Sequence, residues 1–181
     1  MAERLIFSQT FEGLLRSVSG GKLSPRLAAG LKERGVDPAG KLLPAYPAET
    51  FVSVVNFVGR ELYPGLSVDD AITQVGRGFM DAYGETMVGR AMLAMIRLIG
   101  PRRTLERVTR QFRTGNNYSD TRLTPLGPTE YDLWINVVTM PGWYIGILSR
   151  GLELAGAKDV SVRMVSHDSQ GGTFRITWAG S

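Results

Sequence analysis

The sequence predicts an α+β fold, with a helical half over about residues 1–114 followed by an antiparallel β-β-α-β-β half over about 115–181. Three observations predict it. Before residue 114 the apolar residues recur at helical spacing, as in Phe51, Val54, Val55, Val58 and Leu62. After Gly115 the period changes to two: Tyr131, Leu133, Ile135 and Val137 alternate with Glu130, Asp132, Trp134 and Asn136. The chain of 181 residues is 43% hydrophobic and 21% charged, with no repeat and no linker, which describes a single domain over 1–181.

Each element follows from local signals. Thr10 can cap a short helix carrying Phe11, Leu14, Leu15 and Val18, which ends at Ser-Gly-Gly. Ser24, Pro25 and Gly35 then supply the cap, first position and terminator of a second helix that buries Leu27, Leu31 and Ala28. "KLLPAYPAET" reads as a proline-punctuated connector, and Thr50 leads into the helix of Phe51 to Leu62, stopped by Pro64-Gly65. "SVDD" at Ser67–Asp70 is a capping-box variant that opens a helix with Ile72, Val75, Phe79 and Met80. Gly76, Gly78, Gly84 and Gly89 follow closely. Each glycine inside a helix costs roughly 1 kcal/mol relative to alanine, so the cluster implies close packing or a break. A break near Gly84 and a new start at Thr86 satisfy both, and Gly100-Pro101 divides that helix from an arginine-rich one. In the second half a "PLGP" turn joins two strands, Pro141 and Gly156 bound a helix, and "SQGG" turns a second hairpin.

Charge is concentrated. Between Arg97 and Arg122 there are seven arginines against Glu106 and Asp120, an excess of five positive charges. The whole chain is only +4, so the remainder is one negative. Cys 0 excludes disulfides, thiol nucleophiles and cysteine metal sites, and His 1 excludes a two-histidine metal site within one chain. There is no phosphate loop, no supported serine nucleophile and no helix-turn-helix or RNP-like motif. The N-terminus lacks the apolar run of a secretory signal, and the longest apolar helix is interrupted by Arg90 and Arg97. A cytoplasmic protein without a membrane span is expected.

The runs "FRTGNNYSDTRLTPLGP", "GRGFMDAYGETMVGRAMLAMIRLIGPRR" and "FSQTFEGLL" resemble an uncharacterised paralogous family of similar length known from myxobacteria. That resemblance spans about Phe7 to Trp178 and implies no activity. More distantly, helices leading into β-β-α-β-β resemble the haem nitric-oxide-binding domain, a fold shared with TRAPP subunits and vinyl-reductase-like ligand-binding domains. "SVDDAITQVGRGFMDAYGETMVG" is similar to the acidic helix start of those sensors. Two departures speak against haem. The helix "RRTLERVTRQF" has no axial histidine, the chain's His167 lying far downstream, and "DLWINVVTMPGW" lacks the propionate-gripping Tyr-x-Ser-x-Arg motif. No cofactor is expected.

Four places carry candidate chemistry. Arg102, Arg103, Arg107, Arg110 and Arg113 form either an anion- or partner-binding surface or a solvated helix face, with Glu106 and Arg110 at ion-pair spacing. Asn117 and Tyr118 are specificity candidates in "RTGNNYSDT", where Gly115 and Asn116 also read as left-handed helix terminators. His167 beside Asp168 suggests acid–base work, but strand neighbours point to opposite faces, so a surface histidine is expected. Met80, Met87, Met92 and Met95, with Phe112 and Trp134, are either core or the lining of a pocket between helices and sheet. No residue qualifies as catalytic; Asp81 and Glu85 are the only carboxylate bases worth weighing, and no metal site is expected. The functional reading is a non-enzymatic regulatory or adaptor module acting through a protein partner or a homodimer. A haem-free sensor of a small apolar or acidic ligand is the alternative, and nucleic acid is disfavoured.

Overall fold

The computed structural model describes residues 3–19 and 23–179. It begins with a short strand pair that the sequence conceals. β1 (Leu5–Phe7) lies antiparallel to β2 (Ala45–Pro47), with Ile6 opposite Tyr46 and both buried. The proline-punctuated connector is therefore half a ladder, short enough for Pro47 to sit at its end. α1 (Ser8–Ser19) starts two residues before Thr10, so Thr10 is not its cap; its hydroxyl donates to Gly115 O at 3.2 Å. α2 (Pro25–Glu33) has the expected ends: Ser24 Oγ accepts from Leu27 N, and Gly35 takes φ 80°. α3 (Ala48–Leu62) buries Phe51, Val54, Val55 and Val58 but leaves Leu62 exposed.

α4 (Val68–Tyr83) is capped by Ser67, whose Oγ accepts from Asp70 N at 3.2 Å. It packs along α7 (Pro141–Leu154) with glycine on both sides of the seam. A Cβ at Gly76 would stand 2.8 Å from Trp143 O, and one at Gly142 would stand 2.3 Å from Asp69 O. At Gly146 it would meet Thr73 O at 2.3 Å. Backbone on backbone leaves no side chain to yield. The seam is clasped at its edge by Arg77 to Glu153 (2.8 Å) and by Arg150 to both Asp81 (2.7 Å) and Glu153 (3.0 Å). These partners, Asp81 first, raise the Arg150 pKa further.

α5 (Met87–Glu106) begins where Thr86 Oγ accepts from Gly89 N at 2.9 Å. It is broken at Gly100, which adopts φ 77° and ψ 175° before Pro101. The left-handed φ suits glycine, and the proline removes a donor. α6 (Val108–Phe112) continues the arginine-rich stretch. The main sheet has the order β3-β4-β6-β5, all antiparallel: β3 (Thr121–Gly127), β4 (Glu130–Ile135), β5 (Lys158–Asp168) and β6 (Gly171–Ala179). β3 runs through the predicted "PLGP" turn as far as Gly127, with a register shift between Pro125 and Gly127. Leu133, Ile135, Phe174 and Ile176 point into the core, where α7 meets the sheet. Ring contacts run from Tyr46 and Phe11 through Phe51 to Trp143 and Phe79, with centroids 4.4–5.3 Å apart.

Candidate functional site

Where the helical half meets α7, the side chains leave a cavity of about 130 Å³. Its walls are built by periodicity. α4 contributes Phe79, Met80 and Tyr83, at the i, i+1, i+4 positions of its inner face. α5 adds Met92 and Ile96 one turn apart, then Thr104 and Leu105 beyond the Gly100 break. α6 adds Val108, Gln111 and Phe112. α7 closes the opposite side with Trp143, Tyr144, Ile147, Leu148, Gly151 and Leu152. Gly151 leaves room there, since its Cβ position is 3.4 Å from the Met80 methyl.

The polar groups in this lining are few and mostly occupied. The Tyr144 hydroxyl donates to Val137 O at 2.9 Å. Burial pushes its pKa far above the ordinary 10.0, with Tyr118 adding to the rise and the neighbouring Ser119 hydroxyl opposing it. Burial also raises Tyr83, opposed by Thr114, and Tyr118, opposed by Arg4. All three phenols are held neutral. One group stands out: Gln111 lines the cavity, and its buried Nε2 has no hydrogen-bond partner among the described residues. A buried unpaired amide donor costs about 1–3 kcal/mol, which a ligand oxygen would recover.

A second, polar groove of about 740 Å³ adjoins the first, and Tyr118 and Thr139 line both. Glu3, Arg4, Glu49, His167 and Asp168 face it. His167 is exposed, as its place beside a turn suggests, and its Nε2 is 2.9 Å from Val138 O. That bond makes Nε2 the protonated nitrogen and removes it from service as a base.

The structure separates the candidate residues into three groups. Met80, Met92, Phe112 and Tyr118 meet at the cavity. Met95 packs against the core outside the lining, Trp134 lies beneath the Arg122 guanidinium at 4.2 Å, and Met87 is 81% exposed. These three are not pocket residues: Met87 lies off the α5 face that carries Met92 and Ile96, Met95 shares that face but packs on the core beside the lining, and Trp134 alternates away from Leu133 and Ile135. Asn117 belongs to the fold, its Oδ1 accepting from Leu5 N at 2.8 Å and its Nδ2 donating to Glu3 O at 3.0 Å. Neither Gly115 nor Asn116 is left-handed; Asn116 Oδ1 instead accepts from Tyr118 N and Ser119 N.

The arginines are a surface. Arg102, Arg103, Arg107, Arg110 and Arg113 are all exposed. Glu106 pairs with Arg102 at 3.1 Å rather than with Arg110, because the irregular turn at Arg107 interrupts the helix between them. Arg113 Nε donates to Ser119 O at 3.0 Å, with Asp120 at 3.8 Å. The sequence reading missed Gln111, Tyr83, Tyr144 and Ile96. For Gln111 the signal was present: Thr104, Leu105, Val108, Gln111 and Phe112 share one helical face, and a glutamine on a buried stripe is an anomaly.

Residues 4–179 match the model of a family described as protein of unknown function DUF2378. The chain belongs to that family. No curated protein matches it. Solved structures do resemble this DUF2378 chain. The Fe(II) unliganded H-NOX protein from K. algicida shares 11% identity at a TM-score of 0.67, over 95% of this chain and 96% of that one. An oxygen-binding H-NOX domain related to soluble guanylate cyclases, in its oxygen complex, shares 12% identity at a TM-score of 0.69, over 94% and 93%. At such identities the likeness establishes the H-NOX-like fold.

That fold implies haem, and the residues present do not fit one. The lining holds neither histidine nor cysteine, and burial raises the pKa of each of its three tyrosines. The cavity is also well below the roughly 300–1,000 Å³ of sites for cofactor-sized ligands.

Proposed function

We propose that this DUF2378 protein is a haem-free ligand-binding module that takes one small, largely apolar molecule carrying a hydrogen-bond acceptor. The unpaired Gln111 amide, in a largely apolar and aromatic cavity that also includes Thr10, Thr104, Thr114, Asn116 and Thr139, carries the reading. An apolar cavity of about 150 Å³ accommodates a benzene-sized molecule, and this one has about 130 Å³. Its place suits a sensing role: the lining draws on six helices, α1 and α3 to α7, so occupancy bears on how α5 and α6 sit against α4 and α7. The related fold described as oxygen-binding supports a sensing role, although this chain would read its ligand by shape and one hydrogen bond.

The reading requires no reaction. Of the two carboxylates by the glycine break, Asp81 is paired with Arg150 and Glu85 is exposed, and His167 is held by Val138 O. No helix among the described residues is long and apolar enough to cross a membrane.

Thermal melts with cyclohexanone, a benzene-sized ketone, test this. At about ten times Kd a single site adds about 1.4 kcal/mol, a rise of roughly 3 °C for a chain of this size. Benzene is expected to give a smaller rise, and Gln111→Leu to abolish the preference for the ketone. Absence of a saturable shift with either probe overturns the proposal.

A further inference from the structure

The outer face of α5 carries the two most exposed large apolar residues among those described. Met87 is 81% exposed and Leu98 87% exposed, and Ala91 and Ala94 lie exposed between them. The intervals are four, three and four residues. At 100° per residue these positions form one stripe, about 16 Å long, with the 3-4 spacing that one helix offers another. The inner face of the same helix meets the core and the cavity through Met92, Leu93 and Ile96, so the stripe is surplus to both. Arg90 and Arg97 border it along one edge, both exposed and, among the described residues, without a carboxylate partner.

We propose that this face docks an amphipathic helix of a partner protein whose apolar stripe is bordered, along the edge that meets Arg90 and Arg97, by Asp or Glu. Charge complementarity selects that occupant. The segment Met87–Gly100 contains no acidic residue, and Arg102 and Arg103 extend the positive field beyond the kink. A second copy docked through the same helix would gather four arginines around one stripe without a counter-charge, whereas an acidic helix gives each a partner. Alanines at the centre with long apolar residues at the ends favour a close helix–helix approach. A bilayer interface is better served by bulky apolar residues throughout. The inference is independent of whether the cavity takes a ligand.

The test uses the whole protein and two synthetic helical peptides of about 20 residues. Both carry leucine at 3-4 spacing, one flanked by Glu and the other by Lys. By calorimetry the Glu peptide is expected to bind at least about tenfold tighter than the Lys peptide. Leu98→Glu is expected to lose at least about tenfold in affinity for the Glu peptide. Arg90→Glu combined with Arg97→Glu is expected to reverse the preference between peptides. The melting temperature of each variant serves as a fold control, since all three side chains are exposed. The proposal is overturned if the Glu peptide fails to bind or binds no better than the Lys peptide. It is equally overturned if sedimentation shows a dimer abolished by Leu98→Glu, or if the protein pellets with phosphatidylglycerol vesicles through these residues while ignoring the peptide.

Discussion

α4 and α5 are neighbours in sequence and both rich in small residues, yet they meet the rest of the molecule in opposite ways. α4 spends its glycines on contact: Gly76 lies in a backbone-to-backbone seam with Gly142 and Gly146 of α7, and Arg77 and Asp81 clasp the edge through Glu153 and Arg150. α5 has no such seam along its length, its close glycine contact falling at its first turn, where a Cβ at Gly89 would stand 1.8 Å from Tyr83 O. It buries Leu93 and Ile96, lines a cavity with Met92, breaks at Gly100, and leaves Met87 and Leu98 in solvent. A fixed helix beside a lightly held one, with a void between them, is the arrangement a ligand-responsive domain needs. Regions of low packing are where local motion costs least.

The contrast can be broken most forcefully at the seam of α4 with α7. Gly146→Leu places a Cβ 2.3 Å from Thr73 O, so the seam cannot close; a loss of at least about 3 kcal/mol is expected, read as a collapsed thermal transition and lost near-UV dichroism. On α5, Ile96→Ala should cost about 2–5 kcal/mol while enlarging the cavity, so larger ketones gain affinity as stability falls.

Alkaline pH probes the α7 wall. The folded-state pKa of Tyr144 is raised above its ordinary 10.0, so its contribution is complete below pH 10 and is lost as pH climbs toward the native value. Stability should fall by about 1.4 kcal/mol per pH unit for each such phenol above pH 10. Tyr144→Phe should flatten that limb in urea melts at pH 9 to 11, at a cost near neutrality of about 1 kcal/mol for the bond to Val137 O.

Gln111→Leu sharpens the ligand reading. Removing an unpaired buried donor should be neutral or stabilising by about 1 kcal/mol, while the preference for a ketone disappears. Met87→Glu should be the mildest, within about 0.5 kcal/mol in chemical denaturation, because the residue contributes little to the core.

Much of the fold was legible because its signals are local. Ser24, Ser67 and Thr86 cap the helices they precede, and Gly84 and Gly100 fall at breaks. The alternation of Tyr131, Leu133 and Ile135 is the buried side of β4. The β1–β2 pair was hidden because three residues in each partner are too few for periodicity, and their pairing joins positions about forty residues apart. The cavity was only half legible. Periodicity shows that Met80 and Met92 face inward but not that a void lies between them. Met87, Met95 and Trp134 were grouped with them by residue type, although helical phase separates Met87 and strand alternation separates Trp134; Met95 shares the Met92 face, and only packing sets it outside the lining. The Glu106 pairing depended on an irregularity at Arg107 that no residue preference announces.

The most direct measurement is a methionine-methyl NMR titration of the intact protein with cyclohexanone. Met80 and Met92 line the cavity, and Met87 stands on the outer face. The Met80 and Met92 methyl signals are expected to shift together and saturate while the Met87 signal stays in place. Movement of Met87 with Met80 and Met92 unchanged, or no saturable shift at any of the three, would contradict a ligand-binding interior.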